Sequence, residues 1–120
     1  MVDSKVFHLG IDLGSSNIKF LLCTANGELC HRSWVPIGGC LGSSLLQGLG
    51  TLQREFPPHL PTKVAVTGSG QSILTGFEAV FSINEVVATA RGVDFISKNT
   101  RTVIDLGGQF SKWILLDREN

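Results

Sequence analysis

One pattern occurs twice in this chain and leaves it few ways to fold. Asp12-Leu13-Gly14-Ser15-Ser16-Asn17-Ile18-Lys19-Phe20-Leu21-Leu22 is matched by Asp105-Leu106-Gly107-Gly108-Gln109-Phe110-Ser111-Lys112-Trp113-Ile114-Leu115. Each copy sets an Asp at the end of an apolar run, then a Gly-containing turn, a Lys and a second apolar run. That pattern reads as a β-hairpin whose turn offers backbone N–H groups to an anion. The Asp stands where it could hold a Mg²⁺ water, and the Lys can neutralise phosphate oxygens. Two such hairpins on facing lobes would clamp one Mg·ATP between them. Either copy alone could be an ordinary hairpin with a turn glycine, and the repetition argues against that reading.

Val6 to Leu13 reads as a first strand, Ile18 to Thr24 as a second and Glu28 to Val35 as a third. Asn26-Gly27 between the last two is the strongest short-range hairpin signal. Near-continuous apolar strands predict a sheet covered on both faces. A helix is expected from about Ser43 to Phe56, where Leu41, Leu45, Leu49, Leu52 and Phe56 repeat at helical spacing. Gly48 and Gly50 weaken it, and Pro57-Pro58 stops it. Lys63 to Thr67 is a short strand and Gly68 to Phe81 a loop. A second helix follows from Ser82 to about Ser97, with Ile83, Val86, Val87, Ala90 and Val93 inward. Thr102 to Asp105 and Phe110 to Leu116 complete the strands. Three antiparallel strands followed by alternating helices and parallel strands describe an α/β, ribonuclease H-like lobe of an actin-like ATPase. The expectation is a mixed five-stranded sheet of order 3-2-1-4-5 over residues 1–100, with residues 101–120 opening a second lobe.

At 120 residues the chain has one domain's length, too little for a two-lobed enzyme. Ten basic residues balance ten acidic ones, so neither nucleic acid nor an anionic membrane is suggested as a partner. No apolar run is long enough to span a bilayer, and polar Met1 to Lys5 do not read as a secretory signal, so the expected location is the cytoplasm. Cys23, Cys30 and Cys40 form no metal-binding or disulfide pattern. A two-residue type I′ turn at Asn26-Gly27 would set Cys23 directly opposite Cys30, with free thiols expected in a reducing cytosol.

Asp12 and Asp105, each ending an apolar strand beside a glycine turn, are candidates for Mg²⁺ through water; the alternative is a turn-capping Asp. Ser15 and Ser16 can donate to phosphate or simply form a turn. Lys19 and Lys112 either neutralise phosphate or occupy solvent-facing strand positions. Gly68-Ser69-Gly70 after a strand lacks the third glycine of a dinucleotide fingerprint, since position 73 is Ile. His8, His31 and His59 are scattered, so no metal cluster or nucleophilic triad is indicated. Trp34 and Trp113 read as core or edge packing. Ser82-Ile83-Asn84-Glu85 matches a capping box in which Glu85 reaches back to the Ser82 N–H.

These stretches together resemble the BadF/BadG/BcrA/BcrD ATPase family, best known for activators of 2-hydroxyacyl-CoA dehydratases. The resemblance rests on Gly10 to Ser16 with Lys19, on Thr67-Gly68-Ser69-Gly70, on Asn84-Glu85 to Gly92, and on Thr102 to Gln109 with Lys112. It implies that Gly14, Ser15, Ser16, Lys19, Gly68, Gly70, Gly107, Gly108 and Gln109 hold ATP or ADP, and that Asp12, Glu85 and Asp105 act in catalysis. By resemblance Glu85 is the acid beside the γ-phosphate that orients water. It further implies ATP hydrolysis coupled to transfer of one low-potential electron to an acyl-CoA dehydratase or reductase component. The electron would come from a four-iron–four-sulfur cluster shared by two subunits of a homodimer, with cluster cysteines beyond Asn120. Ser69, Gln71, Thr89 and Phe110 depart from the family's usual residues. A small-molecule kinase of the same superfamily and a degenerate regulatory lobe are the alternative readings, and the isolated chain is expected to lack turnover.

Overall fold

The computed structural model describes residues 6–56 and 62–118. Strands β1 (Phe7–Leu13), β2 (Asn17–Thr24) and β3 (Leu29–Pro36) form an antiparallel meander. Helix α1 (Leu41–Glu55) follows, then β4 (Thr62–Thr67), a 3-10 turn (Gln71–Leu74) and β5 (Val80–Ser82). Helix α2 (Glu85–Ile96) leads to β6 (Thr102–Leu106) and β7 (Ser111–Leu115). The main sheet has the order β3-β2-β1-β4-β5, with β4 and β5 parallel to β1. Strands β6 and β7 make a separate antiparallel ribbon. The order 3-2-1-4-5 agrees with expectation, but its fifth strand falls where the sequence reads as the end of a loop, Val80 and Phe81, and the first residue of a helix, Ser82. Three residues are too few to display a strand's alternation.

Alternation along the strands sorts the sheet into two faces. Ile11, Leu13, Ile18, Phe20 and Val66 point one way and meet Leu45 and Leu52 of α1, forming the buried core. Leu41, Leu49 and Phe56 pack around it, so the helical stripe read from sequence is the contact face. The helix starts two positions earlier than expected, at Leu41. Ser44 Oγ, buried, donates to the Cys40 carbonyl at 2.9 Å. Phe56 leaves the helix in an extended conformation, as the proline after it requires. His31 Nδ1 reaches Glu55 Oε2 at 3.0 Å, tying the end of α1 to β3.

On the opposite face a cleft of ≈ 970 Å³ lies between the sheet and α2, lined by Lys19, Leu21, Arg32, Trp34, Ala88 and Arg91 among others. Val86 and Val87, expected to point inward, are 41% and 50% exposed, and no α2 residue is fully buried. Both tryptophans are surface residues, not core: Trp34 is 64% and Trp113 75% exposed. Trp34 sits on the edge strand β3, and Trp113 on the outer face of the β6–β7 ribbon beside Ile104.

The β2–β3 turn differs from the expected type I′. Gly27 N–H donates to the Thr24 carbonyl, Gly27 has φ 86°, and among the described residues only glycines have positive φ. Asn26 therefore cannot adopt the first or second position of a type I′ turn. The loop has three residues, a type I turn closed by a left-handed glycine. A register shift beside Cys23 then pairs it with Leu29, so Cys30 does not stand opposite Cys23.

Candidate functional site

In open α/β sheets, ligands bind beyond the carboxyl ends of the strands, and the marked residues gather at that end here. Asp12 is the last residue but one of β1, cross-strand from Lys19 on β2 and level with Thr67 on β4. Lys19 Nζ lies 3.6 Å from Asp12 Oδ2. The other carboxylate oxygen, Oδ1, is buried without a hydrogen-bond partner. Gly14 N–H donates to the Asn17 carbonyl at 3.1 Å, leaving Ser15 and Ser16 as an exposed two-residue tip.

The loop after β4 folds back over this strand end. Gly68 adopts φ 95°, and Gly70 N–H donates to the Leu13 carbonyl at 2.9 Å. A Cβ on Gly70 would stand 2.7 Å from Leu41 Cδ2. Both glycines are therefore demanded by close approach to β1 and α1. Gln71 Oε1, in the same loop, is buried without a partner.

Thr67 Oγ1 donates to the Ile83 carbonyl at 2.8 Å, and Ile83 N–H donates to Val66 at the same distance. These two bonds fix the start of α2 beside the end of β4. The helix is capped by Asn84, whose Oδ1 accepts from Val86 and Val87 N–H at 2.9 and 3.3 Å. The expected Ser82–Glu85 capping box is thus replaced by a cap two residues later. Glu85 instead pairs with Lys112 Nζ at 2.9 Å.

The second hairpin repeats the first. Gly107 N–H donates to the Phe110 carbonyl at 2.9 Å, leaving Gly108 and Gln109 at the tip, and Asp105 faces Lys112 across the strands. The two tips converge: a Cβ at Gly108 would collide with the Ser16 hydroxyl and stand 3.1 Å from the Ser15 hydroxyl. Among the described residues, the N–H groups of Ser15, Ser16, Gly108 and Gln109 donate to no other backbone group. Such N–H groups and hydroxyls, gathered at two converging tips, are of the kind that anions take.

An unpartnered buried carboxylate oxygen suits a cation or its water, so Asp12 fits the expected Mg²⁺. Among the described residues no three His, Cys, Asp or Glu side chains converge. Sequence reasoning left Lys112 between phosphate and solvent. Its pairing with Glu85 carries no local sequence signal, since it joins two elements distant in the chain.

No protein-family model matches the chain. It is 34% identical over 117 residues to the 2-hydroxyisocaproyl-CoA dehydratase activator of Clostridioides difficile, covering 93% of this chain and 42% of that protein. The crystal structure of Acidaminococcus fermentans (R)-2-hydroxyglutaryl-CoA dehydratase component A superposes with TM-score 0.81 at 28% identity, over 93% of this chain and 43% of that one. The activator of the 2-hydroxyisocaproyl-CoA dehydratase from Clostridium difficile with bound ADPNP gives TM-score 0.74 at 30% identity, over 92% and 41%. The chain thus spans less than half the length of the curated relatives it matches. Over the residues matched, the chain is a homologue of the 2-hydroxyacyl-CoA dehydratase activators and has the actin-like ATPase fold.

Proposed function

We propose that residues 1–100 are the first nucleotide-binding lobe of a dehydratase-activating ATPase and residues 101–120 the opening hairpin of its second lobe. The observation that carries this reading is the convergence of the tips Ser15-Ser16 and Gly108-Gln109, together with the unpartnered carboxylate oxygen of Asp12 near the end of β1.

In this reading the four tip N–H groups and the two serine hydroxyls donate to nucleotide phosphates, and Lys19 neutralises their charge. Asp12 and Asp105 would hold a Mg²⁺ through water, and the ion would offset phosphate charge. Glu85 orients the attacking water, so hydrolysis proceeds by electrostatic stabilisation without a covalent intermediate. ATP and ADP bind the two lobes with different affinity, and that difference is what can move them. The movement accompanies electron delivery to an acyl-CoA dehydratase or reductase component. A four-iron–four-sulfur cluster in a homodimer would supply the electron from residues other than these. Matched relatives that are activators leave the kinase and regulatory-lobe readings without a supporting observation.

Asp12→Asn in the natural-length polypeptide tests the reading. ATP hydrolysis should fall by about 100-fold, as expected on loss of a principal electrostatic group. Unchanged hydrolysis would remove the role assigned to Asp12. The 120-residue chain alone should bind Mg·ADP weakly in calorimetry and show no turnover.

A further inference from the structure

We propose that Lys112 is a positioning residue for Glu85, an inference that rests on the nucleotide-binding reading above. Both hairpins set an Asp and a Lys across from each other, Asp12 with Lys19 and Asp105 with Lys112. They use their lysines differently. Lys19 Nζ stays beside its own Asp12, whereas Lys112 Nζ reaches out of its hairpin to Glu85 Oε2 at 2.9 Å.

Glu85 is free to serve this role. With Ser82 as N-cap Glu85 would have reached back to its N–H, but the cap is Asn84, which accepts from both Val86 and Val87, and Glu85 is left out of the capping. Its backbone is held beside the end of β4 by the two Ile83 hydrogen bonds. What remains loose is the side chain, and the Lys112 ammonium fixes it with a short charge-assisted bond. Side-chain exposures of 29% for Lys112 and 39% for Glu85 leave the pair partly shielded from water. A carboxylate that orients a nucleophile must be held within a narrow range of angle and distance, because misplacement by ~1 Å can lower rate by about 100-fold. Lys112 also joins the second hairpin to the start of α2, so the placement of Glu85 is tied to that hairpin.

A phosphate-neutralising lysine and a positioning lysine predict different kinetics. We would measure kcat and KM for ATP hydrolysis, and Kd for Mg·ADP, on the natural-length polypeptide as wild type, K112M, K112R, E85Q and the double variant K112M/E85Q. A positioning role predicts that K112M lowers kcat by about 10- to 100-fold while KM and Kd stay within about threefold. K112R should recover much of the rate, and the double variant should be no slower than E85Q alone. Thermal melts of each variant separate these effects from unfolding. A tenfold rise in Kd with unchanged kcat would make Lys112 a phosphate ligand and overturn the proposal, as would losses that multiply in the double variant. Wild-type hydrolysis with K112M at the same rate overturns this inference alone. A wild type without hydrolysis overturns the nucleotide reading and this inference with it.

Discussion

Gly68 closes over Asp12: a Cβ added to Gly68 would stand 2.7 Å from Asp12 Oδ1 and run into the Leu13 carbonyl oxygen. The same oxygen of Asp12 has no hydrogen-bond partner. The loop after β4 thus covers that one carboxylate oxygen, at a point that only glycine allows, with φ 95°, while the side chain as a whole stays 34% exposed.

Gly68→Ala should destabilise the chain by about 2–4 kcal/mol, combining a left-handed alanine with overlap against backbone that cannot rotate away. Urea denaturation of the two proteins measures it directly. A loss below ~1 kcal/mol would mean that the loop relaxes and that glycine is not required to cover that oxygen of Asp12.

Gly48 and Gly50 look alike in the sequence, as two weak points in one helix, yet their surroundings differ. A Cβ on Gly48 would overlap the ring of Phe20, one of the largest fully buried side chains. The nearest atom to one on Gly50 is Arg54 Nη1 at 3.9 Å. Alanine gains about 1 kcal/mol of helix propensity at either site, but overpacking against a buried ring costs about 1–3 kcal/mol. Gly50→Ala should therefore raise the melting temperature by a few degrees, and Gly48→Ala should lower it. A rise for both would show that Phe20 can shift aside.

The parts of the fold legible in the sequence were those written in repetition or periodicity. The doubled Asp–Gly–Lys pattern placed both hairpins, and the leucine stripe placed α1 and its contact face. What escaped notice depended on competition between neighbours. Ser82 and Asn84 are both good caps, and the tether from Ile83 to β4 decides for Asn84. Cys23 and Cys30 were aligned by an assumed turn, and one extra loop residue shifted the register. The exposure of Val86 and Val87 could not be read from helical periodicity. Periodicity identifies an apolar stripe without saying how closely the sheet approaches it.

Arg118 closes the described chain against α2. Its Nη1 donates to Asp94 Oδ1 at 2.8 Å and its Nε to the Thr100 carbonyl at 2.7 Å, while Lys98 Nζ donates to Asp94 Oδ2 at 3.0 Å. The bond from Lys98, then that from Arg118, hold the Asp94 carboxyl below the usual carboxylate range. A lowered folded value means that the contribution is complete above the unfolded value near ~3.9 and is lost as pH falls through the folded one. Wild type should accordingly lose stability faster than Asp94→Asn as pH drops from about 4 to about 2. Parallel stability curves for the two proteins would show that the pairs add nothing in solution, the usual fate of exposed ion pairs.

Cys40 and Cys23 should differ in reactivity because of where β3 and α1 place them. Cys40 precedes the first residue of α1 and is exposed; the Ser43 N–H and hydroxyl, then the Gly42 N–H, hold its thiol below the ordinary range. Burial pushes the Cys23 thiol up, with a smaller contribution from the charge of Cys30. The thiolate is the nucleophile, so at neutral pH iodoacetamide should modify Cys40 several-fold faster than Cys23. Timed quenching followed by peptide mass analysis gives both rates from one sample, and the difference should vanish in denaturant. If Cys23 keeps pace with Cys40 in the folded protein, the N–H groups at the start of α1 do not reach the Cys40 sulfur.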